Sequence, residues 1–70
     1  MVYTVTTRER EVLVGISKGL TTREIANSLF LSDHTIITYR KNLFSKLEVP
    51  NAPSLVRRGF ELGLLKLADC

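Results

Sequence analysis

The chain is short of the residues that staple, ligate or span. Its one cysteine is Cys70, so no disulfide can form within it. Its one histidine, His34, has too few partners for a Cys/His metal site, and no metal or cofactor is expected. No apolar run approaches the roughly 20 residues a membrane span needs, and the N-terminus lacks the basic-then-apolar layout of a signal peptide. That pattern fits a soluble protein of the reducing cytoplasm with no membrane partner. Paired carboxylates, a nucleophile–base set and a glycine-rich phosphate loop are all missing at usable spacing, which argues against an enzyme. Phe30, Phe44 and Phe60 are too scattered for a platform that stacks single-stranded bases, and are expected as core or partly exposed packing residues.

The 70 residues allow one small domain, near the lower limit for a core without metals or disulfides. A hydrophobic content of 44% is too high for a disordered tail. The net charge of +3 favours polyanions only weakly. Position says more than the total: residues 37–46 hold Arg40, Lys41 and Lys46 and no acid.

Helical punctuation recurs along the chain. Thr6 followed by Glu9 has the spacing of a capping box, and Val12, Leu13 and Ile16 follow at helical intervals up to Lys18 and Gly19, so a first helix is expected over 7–18. Thr21 and Glu24 repeat the box, with Ile25, Ala26 and Leu29 as the buried face of a second helix. Ser32 caps a third helix over Asp33–Leu47, whose inner positions are Ile36, Tyr39 or Arg40, Leu43 and Leu47. Pro50 and Pro53 force a turn, and a fourth helix runs from Pro53 or Ser54 to Leu62, ending at Gly63. No strand alternates convincingly, and no repeat or low-complexity segment occurs. The fold class is all-α, four helices in one domain over 6–66, with 1–5 as an arm or linker and 67–70 as a tail.

Two short amphipathic helices joined by a tight break, the second with a basic outer face, suit a helix-turn-helix that lays its second helix in a DNA major groove. The residues also resemble the DNA-binding domain of the LuxR/NarL family of bacterial transcription factors. The resemblance lies in Val5-Thr6-Thr7-Arg8-Glu9-Arg10-Glu11-Val12-Leu13, in Gly19-Leu20-Thr21-Thr22-Arg23-Glu24-Ile25-Ala26, in the recognition-helix pattern over 32–49, and in Asn51, Val56 and Glu61-Leu62-Gly63-Leu64-Leu65. It runs in register without gaps over residues 5–65. Three departures from the family pattern stand out: Ile37 stands where lysine is frequent, Ala52-Pro53 replaces Arg-Ala, and Gly59 replaces a common alanine. The resemblance implies sequence-specific binding of double-stranded DNA for transcriptional regulation, RNA polymerase as a further partner, and an N-terminal receiver or ligand-binding domain in longer members. Nothing like that second domain is present, so the chain is expected to be a fragment or a short stand-alone member.

If Ile36, Leu43 and Leu47 face inward, then Ile37, Thr38 and Lys41 face outward and are the expected base contacts. Lys41 can donate to guanine O6 or N7, Thr38 can bond a base edge or touch a thymine methyl, and Ile37 can make only apolar contact, as with thymine methyls. Otherwise Ile37 is a stray exposed apolar residue. Arg40 and Lys46 suit phosphate contact; the alternatives are a pairing of Arg40 with Glu9 or Glu11 and a merely solvated Lys46. Thr22 and Arg23 can meet a phosphate at the start of the second helix, and Thr35 is a phosphate contact or a local cap. Ser32 is read as a structural cap, Tyr39 as a packing residue and His34 as an ordinary exposed imidazole. By resemblance the fourth helix is the dimer surface, through Ser54, Leu55 and Arg58, with Val56 and Phe60 kept for the core. The expected state is a monomer in solution and a dimer on an inverted repeat. Two other readings stand beside this one. A sigma-factor promoter-binding region has a similar helix-turn-helix, but the fourth helix and the 61–65 pattern speak against it. A protein-interaction module that has lost DNA binding is compatible with Ile37 and the small net charge.

Overall fold

The computed structural model describes residues 5–66, and among them there are four helices and no strand. They are α1 (Thr7–Ser17), α2 (Thr22–Leu29), α3 (Asp33–Leu47) and α4 (Ala52–Glu61). Both expected capping boxes form. Thr6 Oγ1 accepts from the Glu9 N–H at 3.2 Å while Glu9 Oε1 accepts from the Thr6 N–H at 2.9 Å. Thr21 and Glu24 repeat this at 3.1 and 2.8 Å. Each box satisfies two backbone donors that the first helical turn leaves without intrahelical partners. Ser32 caps α3 by accepting from the Thr35 N–H at 3.2 Å. Asn51 caps α4, accepting from the Ser54 N–H at 2.9 Å, and Pro53 sits in the first turn of the helix.

Helix α3 is the central element, packing against α1, α2 and α4. The core joins Val12 and Leu13 of α1, Ile25 and Ala26 of α2, Ile36, Leu43 and Leu47 of α3, Leu55 of α4, and Leu65 beyond it. Gly15 lets α1 and α2 approach closely, since a Cβ there would lie 2.7 Å from Ile25 Cγ1. Gly59 does the same for α4: a Cβ would lie 2.9 Å from Leu65 Cδ1 and 3.1 Å from Leu13 Cδ2. The chain also folds back over Gly59, whose carbonyl accepts from the Leu64 and Leu65 N–H groups at 2.8 and 3.1 Å.

Several expectations need correction. Helix α1 ends at Ser17, with Lys18 as its C-cap, and α4 runs from Ala52 to Glu61, shifted by a residue or two from the sequence reading. Leu55 is 0% exposed and belongs to the core, so its side chain is not a dimer contact, while Val56 and Phe60 are only half-buried. The inward stripe of α4 is Leu55 and Gly59, one turn apart. A hydrophobic pattern passes over a glycine, which is why Val56 and Phe60 read as the inner pair. Phe30 is not a packing residue: it is 94% exposed and ends α2 in the left-handed conformation, φ 58°. Val5, the last residue of the expected arm or linker, is partly buried against the core. The rest of the expected arm and tail, residues 1–4 and 67–70, lies outside the described residues.

Candidate nucleic-acid interface

The inner side of α3 is set by Ile36, Leu43 and Leu47, all buried. At 3.6 residues per turn the opposite side then carries His34, Ile37, Thr38, Lys41 and Ser45, and every one of these is exposed. Asn42, exposed at the margin of the stripe, was missed by the sequence reading, although an amide on an outward helical position is a recognised reader of adenine. The three expected base contacts therefore share one accessible face. Ile37 is 47% exposed, a large apolar side chain on an otherwise polar stripe. Thr38 Oγ1 donates to the His34 carbonyl at 3.1 Å, a bond back along its own helix.

The expected phosphate contacts divide. Arg23, in the first turn of α2, is exposed and lies 3.8 Å from Asp33 Oδ2 at the first residue of α3. This long, exposed ion pair stabilises little, so the guanidinium can exchange Asp33 for another anion. The pair spans the N-terminal turns of α2 and α3, with Thr22 half-buried beside Arg23. Thr35 is half-buried and its hydroxyl lies 2.9 Å from that of Ser32, so it belongs to the cap. Arg40 pairs with neither Glu9 nor Glu11; its guanidinium lies over the Phe44 ring, 5.8 Å from the centroid, and Glu11 bonds Arg8 at 3.3 Å.

Lys46 differs most from expectation. Its ammonium donates to Glu9 Oε1 at 2.7 Å, tying the last turn of α3 to the first turn of α1. Glu9 is 2% exposed, and Lys46, paired with it, is not a merely solvated charge. Burial alone raises the Glu9 carboxyl, but the Lys46 hydrogen bond, the Thr6 backbone N–H and the Lys46 charge outweigh it and hold the group below its usual value. A signal for this existed in the sequence. Glu9 precedes Val12, Leu13 and Ile16 at helical spacing, so it stands on the inward stripe, where a carboxylate needs a cation or several donors.

On α4, Ser54 and Arg58 are half-buried and Arg57 is exposed. Ser54, Arg57 and Arg58 line an open groove of about 450 Å³ with Leu47, Glu48, Val49, Pro50 and Glu61. Arg57 and Arg58 each lie 3.6 Å from a Glu61 carboxylate oxygen. No group of three or more His, Cys, Asp or Glu placed to hold a metal occurs among the described residues, and no described helix is long and apolar enough to cross a membrane.

Capped helices stacked under one exposed, acid-poor helical face make this a helix-turn-helix domain of the kind that docks on duplex DNA. The chain belongs to the luxR family of bacterial regulatory proteins, whose family model matches residues 4–58. It is 41% identical over 59 residues to the response regulatory protein YgeK of Escherichia coli (strain K12), covering 84% of this chain and 40% of that protein. It is 43% identical over 63 residues to the transcriptional activator protein ExaE of Pseudomonas putida, covering 90% of this chain and 29% of that protein. The crystal structure of the response regulator ChrA, from a heme-sensing two-component system, superposes with a TM-score of 0.85 at 29% identity, over 93% of this chain and 32% of that one. The chain thus spans less than half the length of these relatives. It is a DNA-binding domain of transcription regulation rather than an enzyme.

Proposed function

We propose that the domain binds a specific duplex site by placing α3 in the major groove, as the output part of a response regulator. The observation that carries this is the shared exposed face of Ile37, Thr38 and Lys41, backed by a helix buried on its other side. Lys41 supplies a long-reach donor for guanine O6 or N7, and Ile37 and Thr38 supply close contact with the bases beside it. Arg23 and Thr22 meet the phosphates next to the groove, and Arg40 adds a further phosphate contact from the flank of α3. Two copies on an inverted repeat would set two α3 helices one duplex turn apart, with Ser54 and Arg58 of α4 at the contact between them. The isolated domain is then a monomer in solution and a dimer on its site. The relatives' names speak of response regulation and transcriptional activation, which supports a receiver domain upstream in the whole protein, RNA polymerase as a partner, and action in the cytoplasm.

The test is fluorescence anisotropy on a duplex selected from a random pool and on a scrambled duplex, over a range of salt. Arg23→Ala is expected to weaken both duplexes alike and to flatten the salt dependence, because a phosphate contact releases counterions without reading sequence. Lys41→Ala is expected to weaken the selected duplex more than the scrambled one. Equal losses for both variants on both duplexes would remove the division of labour between α2 and α3.

A further inference from the structure

Ile37 and Thr38 are neighbours on the exposed face of α3, and what they can offer a base is narrower than their residue types suggest. Ile37 has no polar atom. Thr38 has one hydroxyl proton, and the structure spends it on the His34 carbonyl at 3.1 Å. A threonine hydroxyl turned back to the preceding turn leaves its γ-methyl on the outer side of the helix. The pair therefore presents apolar carbon and hydroxyl lone pairs, and no donor. Lys41, one turn further on, brings a charged donor to this face. In the major groove, the apolar feature that carries sequence information is the C5-methyl of thymine, and the groups that a lone pair can meet are the amino groups of adenine and cytosine.

We infer, resting on the placement of α3 in the groove, that Ile37 and Thr38 read the C5-methyl group of a pyrimidine rather than the hydrogen-bonding edge of a base pair. The preferred site then carries thymine where this pair meets the groove and an acceptor-bearing base beneath Lys41. Cytosine at the thymine position binds poorly, and 5-methylcytosine recovers binding, because the methyl returns to the same place in the groove. Cytosine methylation thus strengthens binding at this position, instead of blocking it.

The experiment replaces thymine by deoxyuridine, which deletes the methyl and keeps base pairing and charge. A duplex selected from a random pool is remade with deoxyuridine at each thymine in turn and titrated by anisotropy. One or two positions are expected to lose about fourfold in affinity, the effect of removing one methyl-sized apolar contact, with the others unchanged. At those positions cytosine is expected to bind less well than 5-methylcytosine. Ile37→Ala and Thr38→Ser are expected to erase the thymine-over-uracil ratio, each at one position, whereas Thr38→Val preserves it. Both residues are exposed, so these variants keep the fold, which circular dichroism checks. Affinity that stays within twofold at every deoxyuridine overturns the inference, as does a ratio untouched by both Ile37→Ala and Thr38→Ser. Absence of binding to any duplex at low salt overturns the groove placement as well, so the two failures are distinguishable.

Discussion

The two sides of α3 are built on opposite principles. The inner side is crowded and over-determined: Ile36, Leu43 and Leu47 have almost no contact with solvent, and Lys46 is held by a buried carboxylate of α1. The outer side carries Ile37, Thr38, Lys41 and Asn42, all exposed. One side fixes where the helix is, and the other stays open to solvent. On the proposed groove placement, position and specificity are separated on a single 15-residue helix. Substitutions on the inner side should change stability first, and those on the outer side should change only which DNA is bound.

That contrast can be broken most forcefully from the inside. Leu43→Ala empties a fully buried site and is expected to cost about 2–5 kcal/mol, read from chemical denaturation, which for a domain this small threatens the fold itself. Glu9→Gln leaves the Lys46 ammonium without its carboxylate partner. A charged hydrogen bond of this kind contributes about 1–3 kcal/mol, and the partial exposure of Lys46 places the expected loss toward the lower end. Its pH dependence gives a second readout. The folded-state pKa of Glu9 is depressed, so its contribution is fully present above the ordinary carboxylate range and is lost as pH falls through the depressed value. The stability gap between the parent and Glu9→Gln should therefore close toward acid pH. A gap that widens on acidification contradicts the assignment.

On the outer side, Lys41→Ala is expected to leave stability within about 0.5 kcal/mol. It should cost about 1–3 kcal/mol on the selected duplex and relax one base position, read by anisotropy on single-base variants. The smallest effect is expected at the turn between α2 and α3. Phe30 holds a left-handed conformation with its ring in solvent, and Phe30→Gly should stabilise the domain by a few tenths of a kcal/mol up to about 1, as relief of strain outweighs the added chain entropy. Destabilisation by Phe30→Gly would mean that the ring has contacts that matter.

Much of the scaffold is readable from local signals. Thr6 with Glu9, Thr21 with Glu24, and Ser32 are start marks whose chemistry is confined to one helical turn, and the structure places all three where the residues do. The bounds of α3 follow from its cap and its apolar spacing. What the sequence conceals is non-local or negative. The Glu9–Lys46 tie joins residues 37 positions apart, and no periodicity links them. The inner face of α4 turns on Gly59, a residue whose contribution is the absence of a side chain, so Leu55 looks like surface until Leu65 and Leu13 are seen against that glycine. Phe30 reads as a core or partly exposed packing residue by composition, yet it ends α2 in a left-handed conformation with its ring in solvent. On the recognition face the residue types were legible, but Thr38's use of its own proton was not, because it depends on a rotamer.

The most direct test of the central claim is an amide NMR titration of the domain with a generic duplex at low and then moderate salt, where no operator need be known because phosphate attraction alone supports binding. Salt-sensitive shifts are expected to centre on Thr22, Arg23 and the outer positions Ile37, Thr38, Lys41 and Asn42, with Val12, Leu13 and Leu55 unmoved. Shifts confined to α4, or none at low salt, would contradict that claim and leave a protein-interaction module in its place.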